Sequence, residues 1–169
     1  MSEEFVPGCD FDRLRAGARF STAGRTITEA DLVSFSALTG DRHPLHADAT
    51  WADRSQFGGR IAHGMMLLSY AVGLAPFDPS WVVALRGIDA VSFRRPVRIG
   101  DTVHLRGEIT ELREVDAEAG LVTFTWQVVN QRGETAVRAR VKALWRRGEA
   151  ISAEAPQERE SSQPAEVYL

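Results

Sequence analysis

Between Met65 and Leu74 the chain is apolar on every side. Met65, Met66, Leu67, Leu68, Tyr70, Ala71, Val72 and Leu74 leave no polar stripe at the helical period, and a helix of that kind has to be enclosed by other elements. The pattern therefore predicts a buried helix from Gly64 to Leu74. Downstream the period changes to two. Val103, Leu105, Gly107 and Ile109 alternate with His104, Arg106 and Glu108; Val122, Phe124, Trp126 and Val128 with Thr123, Thr125 and Gln127; Val137, Ala139, Val141, Ala143 and Trp145 with Arg138, Arg140 and Lys142. These are half-buried antiparallel strands. Trp81 to Phe93 reads as a fourth, with Pro96 and Gly100-Asp101 at the turn after it and Asn130 to Glu134 at another.

Upstream, residues 1–17 carry Pro7, Gly8 and Gly17 without a clear period and read as an irregular lead-in, followed by a first short strand in Ala18 to Thr26. Thr28 is a good N-cap with Asp31 three residues on, and Leu32, Val33, Phe35 and Leu38 form a stripe at helical spacing that ends before Gly40. Asp41 to Gly59 is polar and turn-rich, a long connecting loop with one helical turn near Ala49 to Ser55. The order predicts an α+β domain over residues 1–147, a curved antiparallel sheet wrapped around one helix. Residues 148–169, rich in Glu, Ser, Gln and Pro, are expected to form a disordered tail.

Composition narrows the class. At 169 residues with 44% hydrophobic content, the chain can bury roughly 70% of its unfolded surface and needs no staples. A single cysteine, Cys9, excludes an internal disulfide and fits a reducing compartment. The N-terminus has neither a basic nor an apolar signal region, and Ile61 to Phe77, interrupted by His63, two glycines and Pro76, falls short of the ~20 apolar residues of a membrane span. The cytoplasm is the expected location. Nineteen arginines and one lysine face 23 carboxylates, net charge −3, so no bulk attraction to nucleic acid or membrane exists.

The candidate chemistry lies in Phe35-Ser-Ala-Leu-Thr-Gly-Asp41-Arg-His43-Pro-Leu-His46 and Gly58-Gly-Arg-Ile-Ala-His63-Gly64-Met-Met-Leu-Leu-Ser69. Asp41 and His46 share one loop stiffened by Pro44, and a carboxylate and an imidazole converging on one water form a base and acid pair. On spacing alone, a polar loop holding Asp and His by chance is the more economical reading.

The residues, however, closely resemble the hydratase 2 motif of the MaoC-like dehydratases, or (R)-specific enoyl-CoA hydratases: an aromatic, Gly-Asp-x-Asn-Pro-aliphatic-His, then Ala or Ser. Phe35, Gly40, Asp41, Pro44, Leu45, His46 and Ala52 fall in place, Phe57 to Met65 is similar to the family's Phe-x-x-x-Ile-Ala-His-Gly-Met, and Phe93 to Asp101 to its Phe-x-x-Pro-Val-x-x-Gly-Asp. One departure stands out: the motif's Asn is His43 here. The resemblance implies a hot-dog fold, a sheet wrapped around a long central helix, as a homodimer. It further implies hydration of a trans-2-enoyl thioester to the (R)-3-hydroxyacyl thioester, or the reverse dehydration, with Asp41 and His46 catalytic. The developing negative charge on the thioester oxygen requires a donor, and the backbone N–H of Gly64 at a helix start is suited to it. Ser69 aligns with a supporting serine, with a satisfied core hydroxyl as the equal alternative.

Other residues have plainer readings. His63 is expected to position the loop before the helix. Asp41, His43 and His46 match no strong metal spacing and the family needs no metal, so no metal and no cofactor are expected beyond the coenzyme A or phosphopantetheine of the substrate, carried by acyl-CoA or an acyl carrier protein. Arg94, Arg95 and Arg98 are candidates for its phosphates, against a solvated strand end. His104 reads as solvated. Two alternatives are kept: a hot-dog thioesterase, disfavoured because Gly64 to Leu74 carries no acidic residue, and a non-catalytic acyl-binding subunit, which has no need of both Asp41 and His46.

Overall fold

The computed structural model describes residues 4–150, so the expected tail lies outside the described residues from position 151 on. Ala18 to Thr26 forms two strands instead of one. β1 (Arg19–Ser21) and β2 (Arg25–Thr26) both pair with a later strand. The break between them has a local cause: Thr22 Oγ1 accepts the backbone N–H of Leu105 at 3.0 Å, a place that a main-chain carbonyl fills in a regular ladder.

Helix α1 (Glu29–Thr39) begins in a complete capping box between Thr28 and Asp31 and ends at Gly40, whose φ of 76° is the left-handed cap that glycine adopts without penalty. Its buried residues are Leu32 and Ser36; Val33 and Leu38, part of the predicted stripe, are 57% and 83% exposed. The segment read as a loop contains two short helices, α2 (Pro44–Ala47) and α3 (Ala49–Asp53). α2 begins with Pro44, whose fixed φ suits the first helical turn.

Helix α4 (Gly64–Leu74) packs into an antiparallel sheet of β3 (Val82–Phe93), β4 (Thr102–Glu114), β5 (Ala119–Asn130) and β6 (Thr135–Arg146), in the order β1-β4-β5-β6-β3. This is the hot-dog arrangement. The inward residues are those that the alternation picked out, with Leu105, Phe124, Trp126 and Trp145 at 0–1% exposure, and Trp145 Nε1 donates to the Cys9 carbonyl at 2.8 Å. His104 is half-buried, with Nδ1 3.3 Å from the Thr22 carbonyl, and not freely solvated.

The expectation of a helix enclosed all round is met only in part. Met66, Leu67, Leu68 and Ala71 are buried, but Met65 and Val72 are 56% and 37% exposed, and β3, at the sheet edge, exposes Val83, Leu85, Val91 and Phe93. One copy of the sheet covers one side of α4, and the faces it leaves open carry Met65 and Val72 beside Ser69 and Gly73. Among the described residues no helix is long and apolar enough to cross a membrane.

Asp31 ties three elements together. Beyond capping α1 it accepts the Tyr70 hydroxyl of α4 at 2.7 Å and pairs with Arg25 of β2 at 2.8 Å, while the Arg25 guanidinium lies 3.9 Å over the Tyr70 ring. Burial pushes the Asp31 carboxyl up, but hydrogen bonds from Tyr70, Thr28 and Arg25 outweigh it and hold the group at about 2, below its ordinary 3.8. A depressed carboxylate stabilises the fold fully above its unfolded value and loses that contribution as pH falls through the folded one, here between about 4 and 2, at roughly 1.4 kcal/mol per unit. Asp31→Asn is expected to lower unfolding stability by about 2 kcal/mol at pH 7 and by much less at pH 2, measured as urea midpoints at the two pH values.

Candidate active site

Gly40 turns the chain out of α1 into Asp41, whose backbone N–H donates to Thr39 Oγ1 at 3.2 Å and whose Oδ1 accepts the His43 N–H at 3.2 Å. The His43 ring caps α2, its Nδ1 accepting the Leu45 N–H at 3.2 Å. α2 then presents His46. His46 Nδ1 lies 2.8 Å from the Ile61 carbonyl; a carbonyl only accepts, so Nδ1 carries a proton and, in the neutral ring, Nε2 keeps the free lone pair. Beneath it His63, 2% exposed, stacks on the His46 ring at 3.8 Å and 25°, with Nε2 3.2 Å from both the Asp41 carbonyl and Ser36 Oγ. Burial pushes the His63 pKa below its ordinary value, more than the Asp41 carbonyl raises it, and the neighbouring His46 lowers it further. The shift favours the neutral ring, and His63 joins α1 to the Asp41–His46 loop.

A carboxylate oxygen of Asp41 and ring nitrogens of His46 and His63 lie within 4.8 Å of one another. One water can hydrogen-bond to two groups so spaced. A single metal ion cannot use both imidazoles as they stand, because in-plane lone pairs of stacked, nearly parallel rings run side by side and do not converge.

The three groups open onto a cleft of about 440 Å³ lined also by Gly64, Phe93, Arg94 and Arg95. Gly64 is the first residue of α4, where main-chain N–H groups have no partner within the helix and the dipole is positive. The Phe93 ring lies directly over it: a Cβ at position 64 would sit 2.6 Å from the ring. Arg94 and Arg95 stand exposed at the rim. Two expected residues are elsewhere. Arg98 does not face the cleft; its guanidinium donates to the Phe57 and Gly58 carbonyls and fixes that loop. Ser69 is exposed on α4 and donates to the Met65 carbonyl at 2.9 Å, outside the cleft lining. Phe93 and Ser36 were not singled out by sequence reasoning; Phe93 opens the third motif segment, whereas nothing local distinguishes Ser36.

The His43 departure has a structural account. Asn is among the best N-caps, and the His43 ring does the same work on the Leu45 N–H. His43→Asn is expected to keep kcat within a few-fold in a hydration assay, whereas His43→Ala, which leaves the α2 cap unmade, lowers the melting temperature.

A family model described as MaoC like domain matches residues 14–131. Protein MaoC of Klebsiella aerogenes is 40% identical over 99 residues, 57% of this chain and 29% of that protein. The 3-hydroxybutyryl-CoA dehydratase of Methylorubrum extorquens is 40% identical over 91 residues, 52% of this chain and 56% of that protein. The (R)-specific enoyl-CoA hydratase of Aeromonas caviae is 34% identical over 108 residues, 64% and 78% of the two chains. The chain thus spans about half or less of the length of the first two. Among solved structures, the monoamine oxidase regulatory protein of Archaeoglobus fulgidus superposes with a TM-score of 0.78 at 38% identity, covering 88% of this chain and 99% of that one. Taken with the Asp41 and His46 loop and the helix wrapped in its sheet, these matches establish that the chain belongs to the MaoC-like domain family.

Proposed function

We propose that the protein adds water to trans-2-enoyl thioesters to give (R)-3-hydroxyacyl thioesters, or runs the reverse dehydration. The observation that carries this reading is that the free Nε2 face of His46, the Asp41 carboxylate and the start of α4 at Gly64 meet in one cleft with a basic rim. With the thioester oxygen at the Gly64 N–H, the enoyl double bond is drawn toward Cα and Cβ becomes electrophilic. Asp41 holds the water, His46 Nε2 takes one of its protons as the oxygen bonds to Cβ, and the resulting imidazolium gives that proton to Cα. His46 returns to neutrality and the atoms of one water are accounted for. His63, neutral against the opposite face of His46, adds no competing charge.

The named activities of the Methylorubrum and Aeromonas relatives support the same chemistry. A thioesterase reading finds no carboxylate on α4, and a purely binding role leaves the shared orientation of Asp41 and His46 without a use. The test is hydration of crotonyl-CoA, followed as loss of enoyl absorbance, with chiral analysis of the product. An (S) product, or release of free thiol, overturns the reading.

The same reading includes a homodimer. A second copy set against the β3 edge and the open faces of α4 would cover Met65, Val72, Val83 and Leu85, surface that water otherwise meets. Light scattering at micromolar concentration is expected to give twice the 18.6 kDa chain mass; a monomer at that concentration would count against it.

A further inference from the structure

Arg94 lines the catalytic cleft, and it also forms one wall of a second depression, of about 300 Å³, with Arg138 and Arg140 of β6 and a floor that includes Ala90, Ser92 and Thr125. This groove lies on the face of the sheet turned away from α4, since Arg138 and Arg140 alternate with the buried Val137, Ala139 and Val141.

Its charge is not balanced. Across β3, β6, β5 and β4 runs the directly paired row Ser92, Arg138, Gln127, Arg106, which contains no carboxylate; at the spacing of neighbouring strands its two arginines stand about 10 Å apart. In the next row Asp89 pairs with Arg140 and Glu108 with Arg19. Among the described residues, Arg94, Arg106 and Arg138 make no ion pair. Exposed guanidinium groups gathered in this way attract a compact polyanion and can grip phosphate oxygens in pairs.

The backbone shapes the groove at the same place. Ala90 has φ 49° inside the register shift between Asp89 and Ser92, a left-handed conformation unusual for a side-chain-bearing residue in a strand. The ladder opens there, and the notch becomes the floor. At about 300 Å³ the depression is at the lower end of the range of small-molecule sites.

We propose that this groove holds the phosphate-bearing nucleotide of an acyl-CoA, with Arg94 at the diphosphate, where the groove meets the cleft, and Arg138 at the ribose 3′-phosphate. The inference rests on the enoyl thioester reading and names its carrier: the nucleotide-linked thioester, not a protein-bound one. Arg106, across Gln127 from Arg138, adds attraction at longer range.

The experiment compares crotonyl-CoA with crotonyl-pantetheine, which has the same reacting end and no phosphate, in wild-type protein, Arg138→Ala and Arg138→Glu. The position is exposed, so both variants are expected to fold. KM for crotonyl-CoA should rise about tenfold in the alanine variant, the loss of one charged hydrogen bond, and further in the glutamate variant, with kcat unmoved; KM for crotonyl-pantetheine should not follow. Equal changes on both thioesters, no change on either, or a change seen only with a crotonyl-loaded carrier protein overturns the proposal while hydration itself stands. If no thioester is hydrated, the enoyl reading fails separately, and calorimetric titration with coenzyme A alone decides the groove: affinity lost tenfold or more in Arg138→Glu supports it, and equal affinity sinks it.

Discussion

Asp41→Asn and His46→Ala should each lower kcat for crotonyl-CoA hydration by about 10²–10⁴-fold, the range for losing a positioned acid or base, with KM moving far less. The geometry gives each substitution a separate meaning. His46→Ala removes the one nitrogen whose lone pair is kept free by the Nδ1–H bond to Ile61, so the proton taken from water has nowhere to go. Asp41→Asn keeps the shape and the acceptor for the His43 N–H, but replaces a carboxylate with an amide that holds water more weakly. The Asn variant is therefore the sharper test of charge, and circular dichroism should show it folded.

If the two groups act on one water, neither has a use without the other. The double variant should then be little worse than the poorer single variant, with the remaining rate supplied by substrate binding and the Gly64 N–H. Two losses that multiply, or a folded Asp41→Asn protein with near wild-type hydration, would mean that the pair is not a catalytic unit.

What could be read from the chain and what could not divides by the range of the interactions concerned. The capping box of Thr28 and Asp31, the left-handed Gly40 and the alternating faces of β4, β5 and β6 depend on neighbours within a few residues, so local pattern carries them. α2 escaped notice because its four residues have no apolar period to display, only a proline and a cap. The apolar girth of α4 predicted enclosure on all sides, and the single chain encloses only the face of Met66, Leu67, Leu68 and Ala71, because the helical period does not distinguish faces met by the same chain from faces left open.

At the site, Asp41 and His46 could be picked out because they lie five positions apart in one motif. The stack of His63 on His46, the bond from His63 to Ser36 across 27 positions and the Phe93 ring over Gly64 are products of the tertiary arrangement. Ser69 illustrates a related point: it lies on the predicted helix, but in the single chain the helical phase turns it outward to the Met65 carbonyl and away from the cleft. Arg98 shows that a cluster of like residues need not share a role, for it braces the loop while Arg94 and Arg95 keep the rim.

Gly64→Ala separates a donor from access to it. The variant keeps the backbone N–H and gains helix propensity, by up to about 1 kcal/mol, but its Cβ must displace the Phe93 ring, 2.6 Å away. Phe93 is 54% exposed and can swing outward, so unfolding stability should change little. The methyl group then occupies the space through which the thioester oxygen reaches the N–H. Hydration is expected to lose about 10²–10³-fold in kcat/KM, comparable to removal of one oxyanion donor. Displacement of Phe93 is the competing explanation, and Phe93→Ala in the Gly64→Ala background removes the steric conflict without clearing the methyl from the helix start. If the loss persists in the double variant, close approach to the Gly64 N–H is what catalysis requires. Recovery to near the rate of Phe93→Ala alone would transfer the effect to the ring, and near wild-type hydration by Gly64→Ala itself would remove this N–H from the mechanism.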